Sequence, residues 1–201
     1  MQKRSIRMEE ATAYHEAGHF VAAVHVGLTT KRVTIIPEEN DSHGHILIKP
    51  PFRRSDNPEF ERSDRLLLKF DRYAIYCLAG MEAQRKFRAS SIRSYHGHSD
   101  YMRVLDWLEY FAESDDEAQV WIRLLLIRAR NLVTRGWLNV EAIAAALMEH
   151  KTLSAAEGRE VMRKDLFQRR VLRIGPDRAA ASVKYDDQEC LRNARIHWHS
   201  H

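Results

Sequence analysis

The pentapeptide His15-Glu16-Ala17-Gly18-His19 constrains this chain more than any other part of it. It lies inside a stretch, Ala11 to Val26, whose apolar residues Ala13, Tyr14, Ala17, Phe20, Val21 and Val24 recur close to a 3.6-residue period. That spacing predicts a helix, with Gly27 at its C-terminal cap. On a helix, side chains four apart share one face, so His15 and His19 present two imidazoles to one point. Catalytic zinc takes three protein ligands and keeps a fourth position for a water, whose pKa falls to about 7. Glu16, beside His15, is placed to accept the water proton and pass it to a leaving amine.

The residues alone leave the third ligand open. His25 lies six positions beyond His19 and faces elsewhere on the helix, which reads as a surface or core histidine. The extended H-E-x-x-H-x-x-G-x-x-H pattern is absent, because position 22 is Ala22. Two carboxylates stay in contention. Glu82 sits on a following helix, and Asp100 follows His96-Gly97-His98-Ser99 at the start of a later one, where it also suits a helix cap.

The rest of the chain reads as two short strands and then helices. Arg32–Pro37 is β-branched and ends in proline, and His43–Pro50 reads as its partner across a polar hairpin loop. Pro50–Glu61, with three prolines, reads as a mobile loop. Helices are expected over Arg62–Phe87, Ser99–Phe111, from the Ser114–Asp115 cap to Gly136, over Asn139–Glu149 and over Ser154–Met162. Val171–His201 reads as irregular. The fold class is therefore α+β, mostly α: a zinc-type H-E-x-x-H helix, a small β-hairpin or sheet, and a C-terminal helical bundle.

Composition removes several function classes. Cys77 and Cys190 form no C-x-x-C pair, which excludes a disulfide scaffold or a cysteine zinc ribbon. No apolar run approaches the roughly 18 residues of a membrane span, and Met1–Glu10 has no secretory h-region. A soluble, cytoplasmic protein is expected. The formal charge is +4 over 201 residues. Residues 1–162 hold 23 Lys and Arg against 23 Asp and Glu, whereas residues 163–201 hold 9 against 5. The whole basic excess belongs to the end of the chain, so a nucleic-acid face on the main body is not expected.

Several further segments extend the motif. Thr12–Ala23 (TAYHEAGHFVAA), Val33–Pro37 (VTIIP), the strand Gly44–Pro50, Leu78–Gly80 (LAG) and Gly97–Asp100 (GHSD) follow one another in order. In order and spacing they resemble the peptidase domain of FtsH-type ATP-dependent zinc metalloproteases. Leu138–Met162 is similar to that family's terminal helices, and the resemblance covers about residues 9–164. It implies a peptidase domain over 1–164 and a basic irregular tail over 165–201. It implies zinc held by His15, His19 and Asp100, with Glu16 as general base, in a peptidase that hydrolyses peptide bonds.

Departures from the family shape the expectation. Gln84 and Arg85 stand where the family has two Glu, so a carboxylate that orients a ligand histidine is missing. No phosphate-binding G-x-x-x-x-G-K-[ST] motif is present, so the chain itself does not use ATP. A separate ATPase partner, or peptides and unfolded proteins as substrates, would follow, and homo-oligomers are known in the family. A catalytically weak or inactive metal-binding interaction domain is the alternative reading. A peptide substrate would add to the edge strand at Gly44, His45 and Ile46. His43 and His45 point to one strand face and, with His96 and His98, are candidate cleft residues. His150 reads as structural, and His197, His199 and His201 alternate in the tail.

Overall fold

A computed structural model describes residues 2–37, 44–53, 56–58, 62–92 and 98–174, with side chains between 7 and 164. The elements in chain order are α1 (Gln2–His25), β1 (Thr30–Thr34), β2 (His45–Ile48), α2 (Asp64–Arg88), α3 (His98–Phe111), α4 (Asp115–Arg135), α5 (Trp137–His150), β3 (Thr152–Ser154) and α6 (Ala155–Ile174). The expected class is the observed one: mostly helix, with one small antiparallel sheet.

The H-E-x-x-H helix is the centre of the packing. Ala13, Ala17, Phe20 and Val21 of α1 have no exposed surface. They form one core cluster with Val33 and Ile35, with Ala79 and Ala83 of α2, with Val140, Ile143 and Leu147 of α5, and with Leu153. A second cluster joins Leu66, Phe70, Ala74 and Cys77 of α2 to Val104, Leu108 and Phe111 of α3 and to Ile122, Leu125 and Ala129 of α4. Helix α2 thus divides its residues between the two, and α1 and α3 approach it from different sides. Small residues let α1 and α2 come close: a Cβ at Gly18 would lie 2.7 Å from the Ala79 carbonyl oxygen.

Local chemistry fixes the helix ends. Gly27 takes φ 76°, a conformation that suits glycine, and the Leu28 amide closes on the Ala23 carbonyl at 2.8 Å. Ser63 and Ser114 cap α2 and α4 by accepting the amides of Leu66 and Glu117. Ser154 and Glu157 cap each other's amides at the start of α6, at 3.3 and 2.7 Å.

The sheet order is β2-β1-β3, which leaves β2 at an edge. Thr34 pairs with His45 and Val33 with Ile46 on one side, and Val33 with Leu153 on the other. Among the described residues no helix is long and apolar enough to cross a membrane.

Four expectations need correction. Helix α1 starts at Gln2, not Ala11. A third strand, β3, closes the sheet. Helix α6 runs on to Ile174, so it crosses the expected boundary at 164/165, and Val171–Ile174 is helical rather than irregular. The loop expected to be mobile is pinned at its middle: buried Asp56 meets Lys69 at 2.6 Å, Arg65 at 3.1 Å and the Arg53 amide at 2.8 Å. Residues 175–201, including the three tail histidines, lie outside the described residues.

Candidate metal centre

Helix periodicity places His15 and His19 on the face of α1 that meets α2, and each imidazole is held there through Nδ1. The His19 Nδ1–H donates to the Tyr76 carbonyl at 2.8 Å, and the His15 Nδ1–H donates to Gln84 Oε1 at 3.1 Å. Both acceptors lie on α2, two turns apart. The Gln84 amide is itself oriented, because its Nε2 donates to Ser91 Oγ at 3.2 Å and to the Ser91 carbonyl at 3.4 Å. With both Nδ1 atoms protonated, both neutral rings turn the Nε2 lone pair to the same side.

Asp100, in the first turn of α3, completes the group. Its Oδ2 lies 3.1 Å from His19 Nε2 and 3.5 Å from His15 Nε2, and the two Nε2 atoms are 3.0 Å apart. Two ligands at 2.0–2.1 Å from a tetrahedral zinc are about 3.3 Å apart, so this triangle fits one face of such a site. Three electron-pair donors facing one point favour a cation there. Without one, the same field acts on the protons. Burial would lower the His19 pKa, but the Asp100 carboxylate outweighs it and the pKa is raised. Burial would raise the Asp100 pKa, but the charge on His19 and hydrogen bonds from His15 and His19 hold it far below the usual carboxylate range. The second Asp100 oxygen faces Arg103, one turn along α3, at 3.5 Å.

Glycine is required where α2 passes the site. A Cβ at Gly80 would sit 2.7 Å from two ring carbons of His19, so any side chain there would displace the imidazole. This gives the Leu78–Gly80 segment its physical meaning.

Glu16 is 4% exposed, on the same helix turn as His15. Gly44 packs over it: a Cβ at 44 would lie 3.0 Å from Glu16 Cγ. The edge strand therefore enters beside Glu16. Ile46 packs partly into both cores, and His45 pairs across the strands with Thr34 and approaches Arg32 at 3.5 Å. Of the three residues expected to meet a substrate, Gly44 is the one in contact with the site, and Ile46 is spent on packing.

The other candidates separate. Glu82 is buried but committed elsewhere, to Arg85 on its own helix and to Arg130 of α4 at 2.9 Å. It is not part of the histidine cluster, and Arg85 serves that ion pair. His25 bonds to the Val21 carbonyl at 3.1 Å, and His150 lies 3.8 Å from Glu149. His98 is the first residue of α3 and is exposed, not in a loop. His43 and His96 lie outside the described residues.

The carboxylate expected to be missing at Gln84 is missing, but the Gln84 amide oxygen takes its place beside His15, which the sequence reading did not anticipate. The visible signal was its position four residues after Gly80, which puts both on the α2 face that meets α1. No protein-family model matches the chain, and no curated protein matches it.

Proposed function

We propose that this chain is a zinc metallopeptidase of the FtsH peptidase type, hydrolysing peptide bonds with His15, His19 and Asp100 as metal ligands and Glu16 as general base. The observation that carries the reading is the triangle of two Nε2 atoms and one carboxylate oxygen at 3.0–3.5 Å, with buried Glu16 on the adjoining helix turn. Zinc held there would supply a Lewis acid for the scissile carbonyl and an acidified water.

The chain's own residues supply the rest. Gln84 and the Tyr76 carbonyl keep both imidazoles in the Nδ1–H tautomer, so that the Nε2 lone pairs stay available. Glu16 takes a proton from the attacking water as its oxygen adds to the carbonyl carbon. It returns that proton to the nitrogen as the C–N bond breaks. The open side of β2, entered at Gly44 above Glu16, lets an extended peptide or unfolded segment add main-chain hydrogen bonds. A separate ATPase could deliver such segments from folded proteins.

The test is cleavage of casein and of unstructured peptides by the zinc-loaded chain. Activity should disappear in Glu16→Gln while zinc content is unchanged. Stoichiometric zinc with no cleavage of any substrate would overturn the peptidase and leave a metal-binding domain. Absence of zinc would overturn both.

A further inference from the structure

Helix α4 carries two apolar faces on opposite sides. Ile122, Leu125, Ala129, Leu132 and Val133 face the core. Val120, Leu124 and Ile127 face solvent, 66%, 43% and 52% exposed, and among the described residues Val120 is the most exposed large hydrophobic one. A surface helix ordinarily presents polar residues on that side. The spacing of the three is four and then three, continued by Asn131, which is the seam pattern of a coiled coil.

Charge along the same face says what covers it. Asp116 lies on this side in the first turn and Arg135 in the last. Among the described residues these two make no ion pair, nor does Arg123, whereas Arg128 is bound to Asp71 at 2.7 Å and Arg130 to Glu82. The face is thus acidic at one end, apolar in the middle and basic at the other, which is self-complementary when reversed.

We infer that α4 is the interface of an antiparallel two-fold dimer of this chain. A dyad midway between Leu124 and Ile127 places Leu124 of one copy against Ile127 of the other and Val120 against Asn131. The same dyad sets Asp116 opposite Arg135. A parallel pair would oppose Asp116 to Asp116 and Arg135 to Arg135, so the charges choose the antiparallel form. Arg123 then approaches Arg128, whose charge is already offset by Asp71. The contact is one helix of about 30 Å from each copy, so it is smaller than standard interfaces and the dimer is concentration-dependent.

Sedimentation of the full chain across a concentration series tests this. The expected result is a monomer of 23.5 kDa in equilibrium with a dimer. Leu124→Asp and Ile127→Asp should each raise the dimer dissociation constant about tenfold or more, with the helical circular dichroism unchanged. Asp116→Arg should raise it about two- to fivefold, and adding Arg135→Asp should restore it. A chain that stays monomeric throughout, or a dimer indifferent to Leu124→Asp and Ile127→Asp, overturns the inference. A dimer weakened by Asp116→Arg but not restored by the reversed pair overturns the antiparallel arrangement.

Discussion

Helices α1 and α3 both bring candidate metal ligands to the same point, but they do so from different kinds of ground. Around its histidines α1 is core: Ala13, Ala17, Phe20 and Val21 are fully enclosed by α2, α5 and the sheet. Helix α3 lies at the margin, with only Val104, Leu108 and Phe111 buried among its fourteen residues. The side chains of His19 and His15 are 4% and 13% exposed and that of Asp100 is 15%. Two thirds of the site is therefore built into the packing of the domain. The last third is carried by an element with little core of its own, which a bound metal would help to hold.

The strongest way to break this comparison is to remove a ligand from each side. His19→Ala and Asp100→Ala should each weaken zinc binding more than about hundredfold, beyond the loss usual for an outer partner. At zinc a hundred times its dissociation constant, the wild-type chain gains about 2.7 kcal/mol of stability, and neither variant should show that gain. Hydrogen exchange separates the helices: zinc should slow amides in the first turns of α3 and leave the centre of α1 unchanged. Equal protection of both helices would show that α3 is as pre-formed as α1.

A smaller effect sharpens the contrast between the two imidazoles. His19 is oriented by a backbone carbonyl, which no substitution removes, and His15 by the Gln84 side chain. Gln84→Leu should weaken zinc binding about 10- to 100-fold at unchanged apo stability, and Gln84→Glu should recover it, since a carboxylate accepts the same Nδ1–H. If Gln84→Leu binds zinc as the wild type does, the Tyr76 carbonyl and the packing on Gly80 orient the site without help.

These residues also show how far the sequence could be read. The H-E-x-x-H face was legible because a four-residue spacing on a helix is a local property. Asp100 could not be told from Glu82 by spacing, since its partners lie 81 and 85 positions away; the family resemblance pointed to Asp100, and the fold commits Glu82 to Arg85 and Arg130. Gln84 matches a motif position by chain order, but its hydrogen bond to His15 depends on how α1 and α2 cross. The start of α1 was missed because residues 2–10 lack an apolar period, although Gln, Lys, Arg, Met and Glu all favour helix once the following turns nucleate it. Strand β3 is three residues between two helices, and only its pairing with β1 makes it a strand. The far end of α6 carries good helix formers beyond the last clear apolar repeat.

The smallest expected effect compares two carboxylates, Asp100 and Asp56, both held below the usual range but by different partners. Asp100 depends on the charge of His19 and on hydrogen bonds from His15 and His19. Asp56 depends on the Arg53 amide first, then on Lys69 and Arg65, none of which changes charge in acid. Its pKa is lowered from 3.8 to about 2. A depressed carboxylate pKa stabilises the fold at pH above the unfolded value and loses that contribution as the pH falls through the folded one. Asp56 should therefore keep the middle of the 50–61 loop docked on α2 down to about pH 4 and release it progressively toward pH 2. Limited proteolysis or exchange at residues 56–58 in the metal-free chain would follow that release, and Asp56→Asn should expose the loop already at neutral pH. Release of the loop well above pH 4 in the metal-free chain would instead mean that the loop is anchored through the histidine cluster, and that Asp56 and Asp100 are not separate after all.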